Sequence, residues 1–185
     1  MASTYPTSLD TFTNPTSADT LASPDHAQQH ADINDAMEAV QTKLAIGNTV
    51  IGTYTSYTPT LTNLTIGNGT LTSTYCRVNN LIHFQGKILF GSTTSVTGSV
   101  QVTVPISIST TQSSQGTALG TNTFYDTSVG TWYLGIASAN IAARFYPSIQ
   151  YTNGAFAQFG NMDATTPMTW ATGDYYTWNL IYRVD

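Results

Sequence analysis

Hydrophobic and polar residues follow two rhythms along this chain, and the change falls near residue 54. Before it, Ile33, Met37, Val40 and Leu44 recur at spacings of 4, 3 and 4, a seam that returns on a seven-residue period. Extended backwards, the seam passes through His30 and His26. Ser23 suits an N-cap, Pro24 the first helical position, where a missing N–H costs nothing, and Asp25 the positive end of the helix dipole. Gly47 suits the stop. The pattern predicts one helix over 23–47. After residue 54 the period becomes two. In "NNLIHFQGKILFG", Ile82, Phe84, Gly86, Ile88 and Phe90 share one face, and His83, Gln85 and Lys87 the other. Trp178, Leu180, Tyr182 and Val184 alternate in the same way with Thr177, Asn179, Ile181 and Arg183.

Strands are predicted near 56–62, 70–78, 81–90, 99–108, 131–137, 141–150 and 175–184. Turn signals stand at "IGNGT" and at Asn79-Asn80, the latter suited to positive φ in a two-residue hairpin. Seven or eight short strands between Gly, Ser and Asn clusters predict a mainly β chain, with an antiparallel, jelly-roll-like β-sandwich over 54–185. Residues 1–22 hold Tyr5, Leu9, Phe12 and Leu21 as isolated apolar positions without a period. Alone, such a segment buries too little surface to offset its ordering entropy. It reads as a disordered tail or, preferably, as an extended attachment arm that lays those four side chains into grooves on a partner.

The helical seam is narrow, and the opposite face, with Gln28, Asp32, Asp35 and Gln41, is polar and acidic. A helix lying on a sheet is the plain alternative, but that packing calls for a broader apolar stripe. The chain offers no second helix, so the expected mates are copies of itself, and the helix becomes an oligomerisation stalk.

Composition sharpens this division. Only 8% of residues are charged, against about 25% in ordinary soluble domains, so polarity comes from hydroxyls and amides. Threonine is the commonest residue and is joined by 11 Tyr and 7 Phe, which favours pleated surfaces. The net charge of −5 lies in the first 52 residues, where Asp10, Asp19, Asp25, Asp32, Asp35 and Glu38 face Lys43 alone. Beyond them Asp126, Asp163, Asp174 and Asp185 are matched by Arg77, Lys87, Arg144 and Arg183. Five scattered basic residues give no footprint for nucleic acid or for an anionic membrane. Cys76 alone allows no internal disulfide, and neither a secretory leader nor a membrane span is read in the chain, so synthesis in a reducing cytoplasm is expected.

Catalytic motifs are weak. His83 is expected in a hairpin strand beside Cys76 of the preceding strand, where pairing around Asn79-Asn80 puts it opposite Arg or Tyr neighbours, as a polar-face strand residue. His26 and His30, at i and i+4, could share a metal ion or form rings about a threefold axis, but no HExxH glutamate or later ligand motif accompanies them. Seam filling is the preferred role. No carboxylate pair is singled out for glycoside cleavage, Asp174 reads as a turn residue, and no GxGxxG or GxxxxGK is present. The expectation is a protein that is not an enzyme and uses no metal or other cofactor. What remains is recognition by amphipathic rings, above all Trp132, Trp170 and Tyr175, with Trp170 in "TPMTWATGD" expected at an exposed loop or intersubunit contact.

With these residues in view, "YPTSLDTFTNPTSADTLASPDHAQQHADINDAMEAVQTKLAIG" resembles the leaders of minor tail, fibre and head-fibre proteins of tailed bacteriophages. "YTPTLTNLTIGNGTLTSTYCRVNNLIHFQGKILFG" and the closing "WATGDYYTWNLIYRVD" are similar to the β heads of the same class. The resemblance is weakest between about 110 and 165. It implies a virion structural protein, a homotrimer attached to other virion proteins by its N-terminal region, with β heads facing outward. Two roles fit: a short tail fibre or receptor-binding protein for a host cell-surface glycan or protein, which is preferred, and a capsid decoration or head-fibre protein docked on the shell by residues 1–46.

Overall fold

The computed structural model describes residues 20, 26–44, 52–153 and 156–185. The arm residues Tyr5, Leu9, Phe12 and Leu21, the helix-start residues Ser23, Pro24 and Asp25, and Gly47 lie outside the described residues. The chain divides into two units, Met1–Thr53 and Tyr54–Asp185.

In the first unit, α1 runs over His26–Leu44, 19 residues and about 28 Å. Its seam is uncovered in the single chain: Ile33 is 53%, Met37 54% and Val40 36% exposed. Two i, i+4 pairs lie along the helix, one on the seam and one on the opposite face. Gln28 Nε2 donates to Asp32 Oδ1 at 2.8 Å, and the Nε2 atoms of His26 and His30 are 3.1 Å apart with the rings edge to face. Pairs of this kind contribute only about 0.2–0.5 kcal/mol each, and most helical stability in proteins comes from packing an apolar stripe. No described helix is long and apolar enough to cross a membrane.

The second unit is mainly β. Its strands are β1 (Thr55–Ser56), β2 (Leu61–Thr65), β3 (Thr70–Val78), β4 (Leu81–Leu89), β5 (Ser95–Thr103), β6 (Ala118–Asp126), β7 (Thr131–Ile141), β8 (Arg144–Asn153), β9 (Phe156–Asn161) and β10 (Tyr175–Arg183). All pairs are antiparallel, in the order β1-β3-β4-β10-β6-β7-β8-β5-β2, with β9 paired to β8. β1 and β2 follow one another in sequence yet occupy opposite ends of this order, so the link between them laces the curled sheet. Tyr57 N donates to Ser73 O beside β1, while the Tyr57 hydroxyl reaches Thr103 Oγ1 at 2.8 Å and Val104 O at 3.1 Å beyond β5. The inner faces then meet as the layers of a sandwich. Phe84 of β4 touches Phe145 of β8 edge to face, centroids 6.4 Å apart, and both rings are fully buried.

The two alternating runs land as their periods require. Ile82, Phe84, Ile88, Trp178, Leu180 and Tyr182 are at most 2% exposed. Gly86 belongs to the same inward row because a Cβ there would stand 2.1 Å from the Trp178 ring. Asn79 turns the β3–β4 hairpin with φ 53°, and Val78 pairs with Leu81. The predicted strand 56–62 is two strands, since Pro59 lies between them and has no N–H for a ladder. β5 starts at Ser95, earlier than expected, because Ser95 and Val96 pair with Thr65 and Leu64 across a bulge at Asn63, whose φ is 60°. β6 and β9 are additions to the predicted set.

Candidate functional site

The outer face of the sheet carries the most distinctive surface. In register, Tyr175 of β10 stands opposite Tyr125 of β6, and Tyr125 opposite Trp132 of β7. One aromatic row therefore crosses three adjacent strands. Centroid distances are 4.5 Å for Tyr125–Trp132, 5.1 Å for Tyr125–Tyr175 and 5.6 Å for Trp132–Tyr175. Trp132 is 55% exposed, and the two tyrosines are half-buried. Lys87 of β4 pairs with Thr177, two residues along β10 from Tyr175 and on the same face, and its Nζ lies 4.2 Å from the Tyr175 ring centroid. An exposed cation–π contact contributes about 0.5–1 kcal/mol, enough to bias where the ammonium rests.

Beside the row lies a groove of about 410 Å³. Its walls include Thr72, Thr74, Gln85, Thr123, Thr177 and Asn179, with Lys87 on the aromatic side and the Gly86 and Trp178 segments as floor. Threonine suits an outward strand position because its branched Cβ fits the pleat while its hydroxyl stays in water. A second hollow of about 680 Å³ is bounded by Tyr133, Tyr151, Gln150, Asp163 and Thr165.

No protein-family model, curated protein or solved structure matches this chain.

The structure brings two of the three predicted recognition aromatics, Trp132 and Tyr175, into one row and sets Trp170 apart. The expectation of an exposed-loop Trp170 is corrected. Its ring is half-buried and stacks on Phe90 with centroids 4.4 Å apart and a 12° interplanar angle, while Nε1 donates to Asp163 O at 2.8 Å. A Thr- and Gly-rich segment suggests display of its tryptophan on a loop, but burying so large a ring against Phe90 and Phe124 stabilises the fold more. The seam residues His26, His30, Ile33, Met37 and Val40 follow one another along α1, and α1 extends to Leu44.

His83 lies beside Cys76 as expected, but its direct cross-strand partner is that residue and not the flanking Tyr75 or Arg77; its Nδ1 meets the Tyr54 hydroxyl while Nε2 lies 2.8 Å from Asn179 Oδ1. Both ring nitrogens have partners other than the thiol, so no thiol–imidazole pair forms in this arrangement. Among the described residues no group of three or more His, Cys, Asp or Glu is placed to hold a metal ion.

The four carboxylates of the β unit each accept hydrogen bonds from turn or loop residues. Asp126 accepts from Ser128, Asp174 from the backbone of Thr127 and Ala171, and Asp185 from Ser109 and Thr110. Asp163 accepts from the backbone N–H groups of Thr165 and Thr166, both at 2.8 Å. Burial pushes the Asp163 carboxyl up, but these donors outweigh it and hold the group below its ordinary value of 3.8. A depressed carboxyl stabilises the fold above the unfolded value and loses that contribution as pH falls through the folded one. We expect the contribution of Asp163 to be constant from pH 7 to about pH 5, to decline as pH passes the unfolded carboxylate range at about 4, and to vanish only below the depressed folded value, where the thermal midpoint of Asp163→Asn converges on that of the parent. Because the side chain is partly solvated, the difference at pH 7 should stay under about 1 kcal/mol. Thermal melts across this range measure both.

Proposed function

We propose that this protein is a non-enzymatic structural protein of a tailed-bacteriophage virion, in which α1 assembles three copies and the β unit is an outward recognition head. The observation that carries the reading is the seam of α1: an apolar line on an otherwise polar helix, exposed at Ile33, Met37 and Val40 in the single chain. Such a line lowers free energy when it meets other helices at seven-residue spacing. The virion assignment draws on the resemblance of the leader and β segments to phage tail and head-fibre proteins. The outer aromatic row supports the recognition role, since exposed rings backed by a rigid sheet bind a partner at small entropic cost. In this reading residues 1–22 attach to other virion proteins, the partner at the far side is a host cell-surface glycan or protein, and no cofactor is needed.

Two measurements test it. Light scattering on the full chain should give about three times 19.9 kDa, and a mass near 19.9 kDa would remove the stalk. Gold-labelled antibody against the β unit should then mark the tail tip of intact particles in electron micrographs. Label spread over the head would make the protein a capsid decoration, docked by residues 1–46, and unlabelled particles would remove the virion assignment.

A further inference from the structure

We infer that the ligand of the β unit is an anionic glycan, lying along the threonine groove with its sugar rings on the Trp132–Tyr125–Tyr175 row and its acid group at Lys87. This rests on the recognition reading and names the chemistry of the same face.

Three observations converge on it. The row and the lysine cross β7, β6, β10 and β4 in order, a span of about 14 Å at the usual strand spacing, which suits an oligosaccharide better than a single sugar. The groove's size, about 410 Å³, lies within the range of roughly 300–1,000 Å³ typical of small-ligand sites. Its polar lining is of hydroxyls and amides, which both donate and accept and so match the hydroxyls of a sugar. The exposed apolar edge of Trp132 and the half-buried faces of the tyrosines supply the surface on which sugar C–H faces stack.

Charge then selects among glycans. Among the described residues Lys87 is the only charged one lining the groove, and none of the four carboxylates of the β unit lies there. Its ammonium rests on the Tyr175 ring, which attracts the cation without neutralising it, and its remaining N–H donors can meet an anion. One cation flanked by uncharged walls is too little for a nucleic-acid backbone and sufficient for an acidic sugar unit. A uronate carboxylate and a phosphodiester between sugars offer the same contact.

The test is equilibrium binding of the full-length protein to three polymers: a polyuronate, a phosphodiester-linked sugar polymer and a neutral glucan. We expect at least one acidic polymer to bind tenfold or more tightly than the glucan, with affinity falling as salt rises. Lys87→Gln should lower that affinity about five- to tenfold, Lys87→Arg should retain it, and Trp132→Ala should weaken binding to every polymer. Both side chains point outward from the sheet, so an unchanged thermal midpoint should accompany the loss. The preferred acidic polymer separates carboxylate from phosphate as the natural group. Equal binding of acidic and neutral polymers, unaffected by Lys87→Gln, overturns the anionic assignment and leaves glycan recognition intact. Binding to none of the three by a folded trimer overturns the assignment and the glycan half of the recognition reading, while the virion and stalk tests above stay independent of it.

Discussion

Replacing Phe84 by alanine is expected to destabilise the β unit by about 3–5 kcal/mol, a large part of the 5–15 kcal/mol that holds an ordinary domain together. The size follows from where the ring sits. Phe84 is fully buried on β4 and makes edge contacts with Tyr57 at 5.7 Å, Trp178 at 5.6 Å and Phe145 at 6.4 Å. Those three rings come from the link between β1 and β2, from β10 and from β8. One side chain thus joins the link that laces the sheet, the neighbouring strand and the opposite layer. Removing it leaves a cavity between the layers, which the surrounding close-packed core fills only in part. Phe84→Leu, which keeps most of the volume, should cost less than half as much. Chemical denaturation followed by tryptophan fluorescence would show the difference as a shift in midpoint at unchanged slope. Equal losses in both variants would mean that ring contacts, rather than the volume filled, hold the layers together.

The inner face was legible in the sequence because it obeys one rule. Wherever apolar residues alternate without interruption, as from Ile82 to Phe90 and from Trp178 to Val184, their inward direction is fixed by the pleat. β6 breaks the rule and was missed. Its inward positions include Gly120, Asn122 and Asp126, which look like loop residues. Gly120 stands where a Cβ would meet Asn179 O at 2.1 Å, and Asn122 is buried because it accepts from the Tyr176 hydroxyl and donates to Ile136 O. Those reasons lie in strands 14 to 59 residues away and leave no local mark.

The outer aromatic row was half legible for the same cause. Trp132 and Tyr175 stand out as large amphipathic rings, but what makes them neighbours is Tyr125 between them, on the strand that was not recognised. Alternation sets Lys87 on the face opposite the apolar row, yet its place over Tyr175 depends on β10 lying beside β4, a pairing of strands about 90 residues apart. Trp170 shows the converse. Its composition context reads as loop, and it lies in a loop, but Phe90 offers a flat apolar face and Asp163 O an acceptor, and together they draw the ring in. Alternation reports which way a strand residue points. It carries no information about a loop side chain whose partners are remote.

The second large effect concerns α1. Changing Ile33 and Met37 together to aspartate is expected to convert the proposed trimer into single chains of 19.9 kDa, with the thermal transition of the β unit unchanged. Ile33 and Met37 are successive seam positions, each more than half exposed in the single chain, so in the monomer the new carboxylates stay in water and cost little. In an assembled stalk each layer would instead bring like charges together in an apolar core, where unpaired ions cost several kcal/mol apiece. The variant therefore acts on assembly and spares the folded head. Asp35→Asn, on the face turned away from the seam, should leave the mass unchanged and serves as the control. Loss of assembly also predicts a loss of avidity: a surface bearing many copies of the acidic glycan should hold the trimer 10²–10⁴-fold more tightly than the double variant, while the affinity of each head for free oligosaccharide stays the same. If the double variant keeps its mass, the contacts between copies lie elsewhere and α1 is an ordinary surface helix. If mass falls and surface avidity falls with it, the helix serves to gather recognition heads, which is the arrangement a weak, shallow groove needs to grip a repetitive cell surface.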